Sequence, residues 1–149
     1  MVTTLDIVRG TRVIPAAAGV VFELLANPAE HARIDGSDSV RGTQSATPQR
    51  LSLGAKFGMQ MRIGVPYTIL NEVVEFDEGR RIAWRHFGGH IWRYLLAPVG
   101  PDATEVTEEF DPTHSRSPLV LRLMRAGTRN QRSIDQTLQR LVDWAQTRR

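Results

Sequence analysis

The chain has 149 residues, no cysteine and a formal net charge of +3 at pH 7. A chain of this length forms one domain with a core of its own, and a cysteine-free sequence excludes both a disulfide framework and thiolate chemistry. All but one of the 19 basic residues are arginine, with Lys56 as the exception. We attribute this bias to a GC-rich bacterial genome and expect no nucleic-acid partner.

The first 14 residues alternate charged and apolar side chains, which predicts neither a signal peptide nor a membrane span. We therefore expect a cytoplasmic protein with a single domain over residues 1–149. The sequence has no serine or cysteine nucleophile motif, no glycine-rich phosphate loop and no metal-binding spacing. We expect no cofactor and no bound metal.

Period-two alternation predicts a first strand over residues 4–14, which Pro15 ends. Residues 16–26 read as a short helix that stops at Asn27-Pro28, and a second helical turn covers residues 28–33. Residues 97–103, which contain two prolines and a glycine, are predicted to form a loop before the last strand. Six further strands are expected, at residues 39–46, 56–63, 67–76, 81–87, 90–96 and 104–110.

A long helix is predicted over residues 117–147. It carries apolar or small residues three and four positions apart, which is typical of one buried helical stripe. Such a helix needs a large apolar surface, and the preceding strands supply one. The stripe consists of Leu119, Leu123, Gly127, Ile134, Leu138, Leu141, Val142 and Ala145.

This order of elements resembles the START-like superfamily, also called SRPBCC, of polyketide cyclases, dehydrases and lipid-transfer proteins. The resemblance covers nearly the whole chain and is carried by residues 13–16 with 21–25, by 71–76 with 81–85, by 92–94 with 97–98, and by 104–107. It implies an α+β helix-grip fold, in which a curved antiparallel sheet of about seven strands wraps around the C-terminal helix. It also implies an internal pocket between sheet and helix.

The apolar residues on the predicted inner face would line such a pocket, or would simply be core in a fold without one. A pocket is favoured because paired tryptophans and flexible methionines suit an adaptable apolar site. Asn71 is a polar residue within this set and needs a hydrogen-bond partner if it is buried. The predicted apolar lining is Phe57, Met59, Met61, Ile69, Trp84, Trp92, Tyr94, Val106, Ile134 and Leu138.

Two histidines are predicted to meet at one end of the pocket. If residues 87–89 form a three-residue hairpin loop, His86 and His90 become cross-strand neighbours on the inner face. Two imidazoles could supply a general base near neutral pH. They could equally be hydrated groups at a strand end that orient a ligand, and this second interpretation is favoured.

Glu108 could join the two histidines. If the last hairpin pairs Leu96 with Thr104, then Glu108 lies opposite Trp92 and diagonal to His90. A cluster of two histidines and one carboxylate could hold a metal, although no HExxH-like spacing supports this. We expect His31 and Asp35 near the pocket entrance, where His31 could be a base but is favoured as a surface residue, and we expect His114 to be solvated.

The preferred hypothesis is a binding protein for a lipid, a fatty acid or a polyketide-like molecule. Trp84, Trp92 and Tyr94 would form aromatic walls, and a polar group would orient one end of the ligand. The residues considered for that polar role are His86, Asn71 and Glu108.

Two other hypotheses remain open. The first is a cofactor-independent polyketide cyclase, aromatase or dehydrase, in which His86 or His90 moves the proton and Tyr94 hydrogen-bonds the developing enolate. The second is an interaction module that docks on a membrane surface or an acidic partner. Its surface would be an arginine stripe on the last helix, although the solvated back of an amphipathic helix explains the same pattern. The stripe is Arg122, Arg125, Arg129 and Arg132.

Overall fold

A computed structural model describes residues 7–35, 40–43, 49–86, 88–113 and 126–148. Two short helices, α1 (Ala18–Leu25) and α2 (His31–Ile34), follow the first strand, and the long helix α3 (Ala126–Thr147) comes last. A 3-10 turn, Pro28–Glu30, precedes α2. The strands are β1 (Val8–Ile14), β2 (Val40–Thr43), β3 (Lys56–Ile63), β4 (Val65–Asp77), β5 (Arg81–His86), β6 (Ile91–Gly100) and β7 (Ala103–Asp111).

The seven strands form one antiparallel sheet in the order β1-β7-β6-β5-β4-β3-β2. We call the side of the sheet that faces α3 the inner face, and the opposite side the outer face. The predicted α+β class, the two short helices after the first strand and the long final helix are confirmed.

The inner face and α3 are in close contact at β1. Gly10 lies on β1, where a Cβ atom would come within 2.8 Å of Cγ2 of Ile134. Glycine therefore lets the helix approach the strand, since real Cβ atoms do not tolerate such a distance. The helix residues predicted to be buried in this region are buried: Ile134, Leu138, Leu141, Val142 and Ala145.

The predicted break between β3 and β4 is a tight hairpin. Val65 pairs with Ile63, so β4 starts two residues earlier than residue 67. Gly64 has a φ of 75°, a left-handed conformation that glycine adopts without a steric penalty. A single glycine thus reverses the chain where a longer interruption was expected.

The predicted loop over residues 97–103 is wrong, and so is the register of the last hairpin. β6 continues to Gly100, so Pro98 pairs with Thr104 and Leu96 pairs with Val106. Pro98 is tolerated in a strand here because β5 pairs with β6 only as far as Leu95, which leaves Pro98 a strand neighbour on one side only. The register therefore differs by two residues from the predicted one.

Some predictions fall outside the described residues. These are the first residues of the first strand, part of the strand at 39–46, the start of the long helix before Ala126, His114, and the Arg122 and Arg125 half of the arginine stripe. Arg129 and Arg132 are exposed on α3. Across the described ranges, no helix combines the length and the apolar character that crossing a bilayer requires.

Candidate functional site

A cavity of about 110 Å³ lies between the inner face of the sheet, α2 and α3. Its lining comes from α2 and the residue after it, from the five strands β3 to β7, and from α3, so distant parts of the chain shape it together. The lining residues are His31, Ile34, Asp35, Met59, Asn71, Trp84, His86, Trp92, Tyr94, Glu108, Ser133 and Thr137.

Trp84 is the centre of an aromatic wall. Its ring stacks on His31 with centroids 4.8 Å apart and an interplanar angle of 20°. Tyr94 lies 5.6 Å away on one side, and Phe57 meets the indole edge-on at 5.8 Å. Offset and edge-on contacts of this kind stabilise a packed aromatic cluster, of which His31, Trp84 and Tyr94 line the cavity.

His31 is buried, and the predicted surface position is wrong. Its Nε2 lies 2.9 Å from the carbonyl oxygen of Leu25, and because a carbonyl only accepts, Nε2 carries the proton. Burial lowers the pKa of His31 to about 4, although the Leu25 carbonyl and Asp35 oppose that shift. The ring is therefore uncharged at neutral pH, which suits its stacking on Trp84.

Glu108 lies directly opposite Tyr94 across the β6–β7 ladder. The Tyr94 hydroxyl donates a hydrogen bond of 2.6 Å to Oε1 of Glu108. Burial raises the pKa of Glu108 to about 8; the Tyr94 hydrogen bond lowers it, and the nearby carboxylates of Asp35 and Asp135 raise it further. Glu108 is therefore mostly a neutral carboxylic acid at pH 7, and burial also raises the pKa of Tyr94 well above its usual value.

His86 and His90 are neighbours, as predicted. Their rings stack with centroids 4.5 Å apart, and the backbone N–H of His86 donates to the carbonyl of His90 at 2.9 Å. Burial lowers the pKa of His86 to about 3, with the proximity of His90 adding to the shift, and burial lowers the pKa of His90 to about 4. Both rings are uncharged at neutral pH.

The expected cluster of His86, His90 and Glu108 does not form. The two-residue change of register places Glu108 opposite Tyr94 instead of Trp92, and His90 packs against Phe110 with centroids 5.3 Å apart. Within the described ranges, no group of three histidine, aspartate or glutamate side chains is arranged to hold a metal ion.

Three buried polar atoms on cavity-lining residues have no hydrogen-bond partner in the described part of the chain. They are Oδ1 of Asn71, Nδ1 of His86 and Oε2 of Glu108. Asn71 and His86 are paired residues on β4 and β5. Buried polar atoms are nearly always hydrogen-bonded, so these three mark where a bound molecule would find polar partners.

Sequence comparison places this architecture in a family. The family described as polyketide cyclase / dehydrase and lipid transport matches residues 6–146. The chain belongs to this family. It is also 36% identical over 99 residues to the uncharacterised protein Rv0088 of Mycobacterium tuberculosis, a match that covers 66% of this chain and 44% of Rv0088.

Solved structures of the family's fold are similar over nearly the whole chain. A START superfamily protein from Mycobacterium smegmatis has a TM-score of 0.75 at 14% identity, with 96% of this chain and 99% of that chain covered. Protein NE0264 from Nitrosomonas europaea has a TM-score of 0.71 at 13% identity, with 97% and 98% covered. At such identities the likeness shows the fold alone, and it confirms the START-like architecture.

In this START-like chain, the predicted ligand contacts separate into lining and non-lining residues. Ile69 and His90 border a different groove, and His86 borders both that groove and the cavity. The side chain of Met61 is outside the described part of the structure. Those that line the cavity are Met59, Asn71, Trp84, His86, Trp92, Tyr94 and Glu108. Those that are buried in the core without lining it are Phe57, Val106, Ile134 and Leu138.

Sequence reasoning chose the wrong residues of α3 for the lining, Ile134 and Leu138, which are buried in the core without lining the cavity. Ser133 and Thr137 face the cavity from α3, and with Asn130 they form a buried polar strip at three- and four-residue spacing. That spacing is visible in the sequence, but a search for apolar stripes does not detect it. His31 and Ile34, three residues apart on one face of α2, carried a similar signal.

Proposed function

We propose that this protein binds a small, largely apolar molecule with a polar end in the cavity between sheet and α3. The observation that carries the proposal is the set of three unpartnered polar atoms on residues that line the cavity together with Trp84, Trp92 and Tyr94. Each unpartnered buried polar group costs about 1–3 kcal/mol. A ligand that supplies the missing hydrogen bonds recovers part of that cost, and its apolar body would pack on Trp84 and Trp92.

The cavity volume limits what fits. At about 110 Å³, the cavity is closer to an engineered protein cavity of roughly 150 Å³ that binds benzene than to drug-sized pockets of about 300–1,000 Å³. A molecule of one ring, or the ring-sized end of a longer lipid or polyketide, matches this space. We therefore propose a compact ligand in place of a fully enclosed long chain.

Binding is favoured over cyclase or dehydrase chemistry for three reasons. A general base works best with a pKa near the operating pH, whereas burial holds the pKa values of His86 and His90 at about 3 and about 4. Tyr94, considered as the partner of an enolate, already donates its hydroxyl to Glu108. A folded poly-carbonyl substrate also needs more room than one ring occupies.

The proposal can be tested with a pair of variants on α3. Ser133→Leu would place an apolar side chain in the cavity, and Gln136→Leu makes the same type of change at an exposed position of the same helix. We expect native mass spectrometry of the purified protein, with analysis of a solvent extract, to detect a retained small molecule. Its occupancy should fall in Ser133→Leu and stay unchanged in Gln136→Leu.

Calorimetric titration with toluene, an apolar probe of one ring, complements that measurement if the natural ligand is lost during purification. We expect wild type and Gln136→Leu to bind toluene and Ser133→Leu to bind it at least about tenfold more weakly, a difference of about 1.4 kcal/mol. Equal occupancy and equal toluene affinity in the two variants would contradict the proposal. So would a wild type that retains nothing and binds no toluene.

A further inference from the structure

We infer that the cavity selects an uncharged ligand whose carbonyl oxygen accepts a hydrogen bond from the carboxylic acid of Glu108. This inference rests on the proposed function and narrows its ligand from a small apolar molecule to a chemical class. It gives Glu108 the role of hydrogen-bond donor, and it makes ligand carboxylates unfavourable.

The orientation of the Glu108 carboxyl group carries the first step. Tyr94 donates to Oε1 at 2.6 Å, and the two residues are directly paired in the sheet, so the carboxyl plane is held from one side. Oε1 already accepts the hydrogen bond from Tyr94, and the acid therefore carries its own proton on Oε2. Oε2 is buried with no partner among the described residues, so the O–H group on a cavity-lining side chain is available to a ligand.

The charge of the surroundings carries the second step. The titratable groups around Glu108 are Tyr94 on β6, Asp35 after α2, Asp135 on α3, His86 on β5 and His31 on α2. Burial keeps both histidines uncharged at neutral pH, and the two aspartates favour the neutral form of Glu108.

The arginine beside the cavity does not line it in the described part of the chain: Arg140 donates from its guanidinium to the backbone carbonyl of Asp35. Among the described residues, neither lysine nor arginine lines the cavity. A ligand carboxylate or phosphate would be placed near Asp35 and Glu108 without an opposite charge, and an unpaired charge is costly to bury. A ketone, aldehyde or amide carbonyl carries no such cost and accepts the Glu108 proton.

The other two unpartnered atoms narrow the chemical class of the ligand further. Oδ1 of Asn71 accepts, and it lies on the residue paired with His86, whose Nδ1 is also unpartnered. A carbonyl compound that also carries an N–H or O–H group would donate to Asn71 while it accepts from Glu108. A primary amide has both functions on the same carbon atom, which makes it the best simple probe of this class.

Three one-ring probes test the inference by calorimetry: benzamide, benzoate and toluene. Benzamide and benzoate have nearly the same shape and differ in charge, whereas toluene has no polar end. At pH 6.5 we expect wild type to bind benzamide at least about tenfold more tightly than benzoate. Toluene reports only whether the cavity accepts a ring.

The pH profile of wild type identifies the donor without any substitution. Glu108 loses its proton above a pKa of about 8, so benzamide affinity should fall roughly tenfold for each pH unit above that value. Toluene affinity should change little over the same range. Glu108→Gln keeps an uncharged donor in place of the acid, so it should bind benzamide within a few-fold of wild type with no such fall.

The outcomes separate this inference from the proposed function. If toluene binds but benzoate matches benzamide, or if the fall above pH 8 is absent in wild type or persists in Glu108→Gln, the inference is wrong and the cavity remains a binding site. If none of the three probes binds wild type, the inference is wrong, and the proposed function fails with it if wild type also retains no small molecule. Toluene binding by Glu108→Gln confirms that this variant retains a folded cavity.

Discussion

Two adjacent glutamates on β7 show how differently the two faces of the sheet treat a carboxylate. Glu108 is 3% exposed on the inner face and Glu109 is 7% exposed on the outer face, so both are buried. Glu109 pairs with Arg9 at 2.9 Å and with Arg93 at 3.0 Å. Glu108 has one uncharged partner, the Tyr94 hydroxyl. Burial alone therefore does not determine whether a carboxylate is charged. The side chains that the fold places beside it determine this as well.

Arg93 is central to the outer face. Besides Glu109, it contacts Glu75 at 2.7 Å and Asp111 at 3.5 Å. Its side chain is only 15% exposed, so these charges are partly removed from water. On the outer face, buried carboxylates are paired with arginine. On the inner face, Glu108 is an uncharged acid, and its Oε2 has no hydrogen-bond partner among the described residues.

The largest expected effect on stability comes from removing Arg93, the common partner of the outer-face carboxylates. Arg93→Met would leave three acidic side chains without their central cation, and we expect the free energy of unfolding to fall by about 3 kcal/mol. Urea denaturation followed by circular dichroism measures this change. Arg85→Met is the control, since the Arg85–Glu72 pair is much more exposed and should contribute at most about 1 kcal/mol.

Equal losses in the two arginine variants would contradict this account. They would mean that the outer-face network behaves as an ordinary surface ion pair, and the contrast between Glu108 and Glu109 would then have no energetic basis.

The face that each residue occupies was predictable from the sequence, because a strand alternates with period two. Trp84 and His86 were expected on the inner face and Arg85 on the outer face, and burial confirms that division. The two short helices and α3 were equally visible from proline positions and from three- and four-residue spacing. These local patterns were sufficient for the fold.

The contacts within the cavity were less predictable, because they depend on register and on tertiary packing. Pro98 and Gly100 are typical of a loop, yet they extend β6 and move Glu108 opposite Tyr94. His31 is a polar residue in a short helix and was therefore expected at the surface. Its burial follows from stacking on Trp84, which lies 53 positions further along the chain. A single sequence contains neither piece of information locally.

The second prediction concerns the pH dependence of stability. The pKa of Glu108 is about 8 in the folded state and 4.5 as its ordinary value, so the folded state binds more protons between these values. Stability therefore declines as pH rises towards 8. The buried histidines have lowered pKa values and act in the opposite direction, mainly below pH 6.5 and with a smaller contribution just above it, so the comparison of wild type with Glu108→Gln over pH 6.5–8 isolates Glu108.

Across that window we expect wild type to lose roughly 1.5 kcal/mol of unfolding free energy relative to Glu108→Gln, at up to about 1.4 kcal/mol per pH unit and less as the pH approaches 8. Glu108→Gln should remove the decline. Glu109→Gln, the matched change on the other face, should shift the whole curve downward and keep the slope. Urea denaturation at pH 6.5, 7.25 and 8 measures all three proteins, and a decline that disappears only in Glu109→Gln would reverse the assignment of the two glutamates.

The smallest expected effect comes from the single hydrogen bond that holds Glu108. Tyr94→Phe removes one bond between uncharged groups and should cost about 1 kcal/mol at pH 6.5. Because the Tyr94 hydroxyl lowers the pKa of Glu108, the variant should raise that pKa, and the decline in stability should continue to a higher pH than in wild type.

Tyr67→Phe, at a half-buried position of β4 outside the cavity, is the control and should leave the end of the decline unchanged. If the decline in Tyr94→Phe ends at the same pH as in wild type, the Tyr94 hydroxyl does not affect the pKa of Glu108. The hydrogen bond to Oε1 would then not explain why Oε2 is available to a ligand.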